Sequence, residues 1–181
     1  MTRSTFLSTF RTTSFLLGLG LLAAPWHSAF AAGDAPPPPT CGKGEVYDEK
    51  AQKCVKKEGA NLTDENYAAY ALALAKAGRA PEALEILDLL KDQNTPQALN
   101  YRGYATRKSG KVDEGIGFYL KSVALKPDYA QVREYLGEAY VLKGQMDLAK
   151  AELDKIKGIC GNTTCEEYED LEAAIKDPST I

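Results

Sequence analysis

The chain has 181 residues, 44% of them hydrophobic, with 22 basic against 25 acidic residues and a net charge of −3. An acidic balance offers no general electrostatic attraction to nucleic acid or to an anionic membrane, so neither is an expected partner. The sole histidine, His27, and the sole tryptophan, Trp26, both lie within the first 31 residues. Without that segment there is no Ser-His-Asp triad, no Cys-His pair and no histidine metal ligand. The expectation is therefore a non-enzymatic protein with no cofactor and no metal.

Residues 1–31 have the layout of a secretory signal peptide: Arg3 and Arg11, an apolar run from Phe15 to Ala24, and Ala29-Phe30-Ala31 as the cleavage site. The run falls short of the roughly 20 apolar residues needed to span a bilayer, so cleavage and no stable membrane insertion are expected. Cleavage would remove two arginines, leaving 20 basic against 25 acidic residues and a charge of −5. The expected destination is an exported compartment, the periplasm first and the extracellular medium second. There, four cysteines should form two disulfides. Three connectivities are open, and the local one, Cys41–Cys54 with Cys160–Cys165, is preferred. Residues 32–40, with four prolines from Pro36 to Pro39, predict an extended linker. Residues 41–60 predict a small disulfide-closed loop built on a short Glu-Val-Tyr strand, a ring of about 14 residues whose closure is worth about 3 kcal/mol.

From Asn61 apolar residues recur at helical spacing. Thr63-Asp64-Glu65 predicts a helix start; Gly78 ends that helix and Pro81 opens the next. Ala83, Leu84, Leu87 and Leu90 form the buried stripe of the second helix, and Asn94-Thr95-Pro96 breaks it. A second hairpin runs from Pro96 to Lys126 with its turn at Gly110, and a third from Asp128 to about Lys157 with its turn at Gly144. A last helix is expected from Thr164 or Cys165 to about Lys176, where Thr164-x-x-Glu167 fits a capping box.

Small residues align in phase across these hairpins: Ala71, Gly103 and Gly137; Gly78, Gly110 and Gly144; Ala83, Gly115 and Ala149. Each set is offset by 32 and then 34 residues, the signature of stacked helical hairpins. The first and third sets should let the two helices of a hairpin approach closely. With Leu136-Gly137-x-x-Tyr140 and Leu153 in the third copy, the pattern resembles tetratricopeptide repeats (TPR). The second copy departs with Arg102 and Thr106, and the first runs two residues short. The resemblance implies an all-α fold, a short right-handed superhelical solenoid of three TPR-like hairpins (about 64–95, 96–129 and 130–158, within 61–158). A disulfide-pinned capping helix, 159–177, should close its outer end.

The resemblance further implies a concave groove lined by the first helix of each hairpin and suited to a protein or peptide segment. The groove-facing positions are Ala68, Ala69, Leu72, Ala75 and Lys76 in the first copy. They are Asn100, Tyr101, Tyr104, Arg107 and Lys108 in the second, and Gln131, Glu134, Tyr135, Glu138 and Val141 in the third. Tyrosines make good anchors, with an apolar face and a polar tip; the same residues can equally pack between repeats. Glu134 and Glu138 would repel a carboxylate, which argues against a clamp for a partner's C-terminus. The expected function is an interaction scaffold or adaptor in the periplasm or envelope. Two alternatives remain: a thiol–disulfide or redox-sensing protein using Cys160 and Cys165, and a structural module of an envelope assembly.

Overall fold

The computed structural model describes residues 39–58 and 60–181. The signal-peptide reading of residues 1–31 and most of the proline linker fall outside them. The described chain opens with an antiparallel hairpin, β1 (Glu45–Asp48) and β2 (Lys53–Lys56), in which Val46 opposes Val55 and Tyr47 opposes Cys54. Its turn is held by the Asp48 carboxylate, which accepts from the N–H groups of Lys50 and Ala51 at 2.9 and 3.0 Å. The Cys41–Cys54 disulfide closes it.

Two strands are marginal alone, and this pair leans on helices. Cys41 and Val46 are buried in the same core as Tyr70 and Leu74. The Cys41 N–H donates to the Tyr70 hydroxyl at 2.8 Å, and the Cys41 carbonyl accepts from Arg79 Nη1 at 2.6 Å. The hairpin is thus built into the front of the helical core.

Seven helices follow among the described residues: α1 (Asp64–Lys76), α2 (Ala80–Leu87), α3 (Pro96–Lys108), α4 (Val112–Leu125), α5 (Ala130–Leu142), α6 (Met146–Cys160) and α7 (Glu166–Lys176). Thr63 and Thr95 cap α1 and α3 by accepting from the N–H groups of Asn66 and Ala98, satisfying donors that no helical carbonyl can reach. The pairs α1–α2, α3–α4 and α5–α6 turn back through the same device. Gly78, Gly110 and Gly144 each have positive φ, at 78°, 89° and 69°, a conformation that costs a residue with Cβ. The next N–H bonds back across the turn each time: Arg79 to Leu74, Lys111 to Thr106 and Gln145 to Tyr140, at 2.8, 3.2 and 2.8 Å. That is the six-residue bond of a Schellman motif, repeated at the spacing seen in the sequence.

The small-residue expectation holds in the middle hairpin. A Cβ added to Gly115 would sit 2.9 Å from the Gly103 carbonyl, so α3 and α4 touch backbone to backbone. It fails at Gly137. The nearest atoms a Cβ would meet there belong to Leu171 of α7, at 2.5 Å, ahead of anything from the partner helix α6. The glycine makes room for the last helix, and Leu171 is fully buried in that place.

The capping box expected at Thr164 does not form. α7 starts at Glu166 with Cys165 at its cap and no side-chain capping bond. The Thr164 N–H and hydroxyl both donate to Asn162 Oδ1, at 2.8 and 3.1 Å. The reason is local: α6 runs on to Cys160, Gly161 takes φ 70°, and the Cys160–Cys165 disulfide closes the intervening loop. Thr164 is therefore held in the loop and out of register for the cap. Both preferred disulfides are present, and no free cysteine remains among the described residues.

The core runs through Tyr70, Leu74 and Leu87, then Tyr119, Leu136, Ile156 and Leu171, all essentially inaccessible. Among the described residues no helix is long and apolar enough to cross a membrane.

Candidate functional site

The residues expected to line a groove fall on α1, α3 and α5, and the fold brings most of those on α3 and α5 into one cluster. Asn100, Tyr101, Tyr104 and Arg107 lie along α3 at spacings of three to four, as do Gln131, Glu134, Tyr135 and Glu138 along α5. The Tyr104 and Tyr135 rings meet at 4.8 Å between centroids, tilted by 50°. Tyr119, from α4, is 6.4 Å from Tyr135.

Arg107 is the hub. Its guanidinium carbon stands 5.2 Å from the Tyr104 ring centre and 6.0 Å from that of Tyr135. Nε donates to the Tyr119 hydroxyl at 3.3 Å, and Nη2 donates to Glu138 Oε2 at 2.5 Å. With side-chain exposures of 1% for Arg107 and 14% for Glu138, this is a buried ion pair and not a solvated surface contact. Burial pushes the Glu138 carboxyl up, and the Arg107 guanidinium pulls it back. Arg107 Nη1 has no hydrogen-bond partner.

A second network starts at Asn100, which is fully buried. Its Nδ2 donates to the Tyr129 hydroxyl at 3.3 Å and to Gln131 Oε1 at 3.1 Å, and Tyr129 donates to the same Gln131 oxygen at 3.0 Å. Asn100 Oδ1 is left without a partner. Tyr129 also lines a cleft of about 440 Å³ with Ala68, Leu90, Gln97 and Lys126, and the Lys126 ammonium stands 5.3 Å from its ring.

Glu134 is 6% exposed. Burial, reinforced by the neighbouring carboxylates of Glu138, Asp170, Glu167 and Glu166, pushes its pKa up to about 9. It is therefore neutral at pH 7 in the folded protein and ionised in the unfolded chain. A pKa raised on folding contributes stability that is complete below the unfolded value, near 4.5, and is lost as the pH rises through about 9. Glu134→Gln keeps the shape and removes that loss. The variant should match the parent at pH 4 and exceed it at pH 8 by about 5 kcal/mol, on the order of 10–20 °C in Tm. Thermal melts at the two pH values check this, and equal gains at both would show that Glu134 is ionised in the fold.

Lys108 is exposed, with its ammonium 5.9 Å from the Tyr104 ring. In the first hairpin Ala68 and Ala75 are buried, Ala69 and Leu72 half-buried and Lys76 exposed; Val141 is buried. Sequence reasoning missed the α7 carboxylates that act on Glu134, and missed Tyr119 and Tyr129 as partners of Arg107 and Asn100. The three-residue spacing of Glu167 and Asp170 was the available signal for the first.

One set of potential metal-ligand atoms gathers within 4.8 Å among the described residues: the two sulfurs of Cys160 and Cys165 and a Glu167 oxygen. Both sulfurs are bonded to each other, so the oxidised protein offers no thiolate there. No family model matches the chain, and no curated protein matches it.

Proposed function

We propose that the chain is an exported, non-enzymatic scaffold of three TPR-like hairpins that holds a protein or peptide segment along the face shared by α3 and α5. The observation that carries this reading is the pairing of three identical glycine turns with a buried aromatic and polar face whose hydrogen-bonding capacity is not filled. Arg107 Nη1 and Asn100 Oδ1 lie inside that face without partners. A buried polar atom left unmade costs about 1–3 kcal/mol; both atoms are closed to solvent, so an incoming segment pairs with them only as the α3–α5 side chains shift to admit it. The rings of Tyr101, Tyr104 and Tyr135 add contact area at little cost in side-chain freedom.

Arg107 belongs to a buried ion pair, so substituting it would unsettle the fold together with any docking. Lys108 is exposed at a groove position on α3 and is a cleaner probe. In pull-downs from the cells that make this protein, Lys108→Glu should lower recovery of a specific partner by about tenfold. Lys150→Glu, on the exposed side of α6, should not. Equal recovery by all three proteins, with unchanged circular dichroism, would remove the α3–α5 face as the docking surface.

A further inference from the structure

The corner between α6 and α7 gathers two sulfurs and a carboxylate. One ligand atom from each of Cys160, Cys165 and Glu167 lies within 4.8 Å of the others, and all three residues are half-buried. The Glu167 carboxylate makes no hydrogen bond or ion pair among the described residues. In sequence the set reads Cys-x4-Cys-x-Glu, and zinc-binding cysteine pairs are commonly separated by about two to four residues. The disulfide is one of several devices that shape this corner. Asn162 braces the loop from within: its Nδ2 donates to the Cys160 carbonyl at 3.2 Å, and its Oδ1 accepts from the Thr164 N–H at 2.8 Å. The Gly161 N–H closes the end of α6 on the Lys157 carbonyl at 3.0 Å, and the N–H groups of Tyr168 and Glu169 both donate to the Cys165 carbonyl at 3.1 Å. Leu171, fully buried, seats α7 against Gly137. None of these contacts passes through the S–S bond, so they remain to hold the corner when that bond opens. Cys165 then stands at the cap of α7, where free backbone N–H groups favour a thiolate.

We infer that Cys160, Cys165 and Glu167 form a site for a thiolate-seeking divalent cation of the zinc type, which exists when the disulfide is open. A dithiol opens it: two electrons and two protons pass from the dithiol to the cysteine sulfurs, and the reductant leaves as a cyclic disulfide. The cation then displaces the two thiol protons to the buffer. It bonds to both sulfurs and to one Glu167 oxygen, and a water completes the tetrahedron. Two thiolates select zinc over magnesium or calcium, which prefer oxygen ligands throughout. The α6–α7 corner thus has two alternative clamps, a covalent bond when oxidised and a metal when reduced. Neither involves the α3–α5 docking face, so this site stands or falls independently of it.

The test is titration of the full chain with cobalt(II) chloride, a zinc surrogate whose thiolate complexes absorb strongly in the near ultraviolet. The protein is first reduced with a phosphine, which is then removed without oxygen. The reduced parent should develop the thiolate–cobalt band, and zinc chloride should abolish it by displacing the cobalt. The oxidised parent, folded and with both sulfurs bonded to each other, should show no band. Cys160→Ser should lose it. Glu167→Gln, which leaves both thiols in place, should keep the band with about tenfold weaker affinity. Cys54→Ser, which breaks the other cysteine pair at an exposed position, should bind as the parent does. No band in the reduced parent would overturn the site, as would a band that survives in Cys160→Ser or is lost in Cys54→Ser. Equal affinity in Glu167→Gln and the parent would overturn the three-ligand assignment.

Discussion

Arg133→Leu is expected to lower the free energy of unfolding by about 3–5 kcal/mol. Arg133 Nη1 donates to Glu152 Oε2 at 2.7 Å with both side chains less than a tenth exposed, and its Nε donates to the Pro127 carbonyl at 2.8 Å. One guanidinium therefore ties α5 to α6 and to the loop that enters α5. Leucine restores none of these bonds and leaves the Glu152 carboxylate facing the core. Lys155 still reaches its other oxygen at 2.8 Å, but from a half-exposed position. The midpoint of urea unfolding should fall while the slope holds. Replacing both partners, Arg133→Met with Glu152→Met, should recover most of the loss, since the cost comes from stranding one charge and not from the value of the pair. A double variant as weak as the sum of the two single ones would show that the pair acts as two independent surface charges.

The second large effect separates two glycines two residues apart on one helix. At Gly115 an added Cβ meets the Gly103 carbonyl at 2.9 Å and the Arg107 backbone nitrogen at 3.2 Å. Backbone cannot swing aside as a side chain can, so Gly115→Val must push α3 and α4 apart, at about 3 kcal/mol. At Gly117 an added Cβ meets nothing within 4 Å. There the gain in helix propensity acts alone, and Gly117→Ala should stabilise by about 0.5–1 kcal/mol. Parallel denaturation curves decide it. Equal effects at the two sites would mean that the contact between α3 and α4 is looser than the structure has it.

Local rules were legible in the sequence because they act over a few residues. Thr63 caps its helix, the three glycine turns fall at their expected positions, and both cysteine pairs are local enough to close as preferred. What escaped lies across space. Helical spacing puts Gly137 on a face of α5, but only the fold shows that α7 occupies that face. Spacing puts Arg107 and Glu138 on the first helices of neighbouring copies, one turn out of phase, but whether such a pair is solvated or buried depends on Tyr104, Tyr119 and Tyr135 closing around it. Thr164 carries a valid capping pattern, overridden by a covalent ring that takes the residue out of position. The candidate site was half visible: its α3 and α5 residues could be named in advance, while the α7 carboxylates that set its charge could not.

An array of stacked helical hairpins has two raw ends, each able in principle to accept another unit and so to grow into a filament. Here one end is sealed by the Cys41–Cys54 hairpin, fastened through Tyr70 and Arg79. The other is sealed by α7, whose Leu171 fills the notch at Gly137 behind the Cys160–Cys165 ring. Among the described residues, each end of the helical run is thus covered by a segment of the same chain that a disulfide closes into a ring.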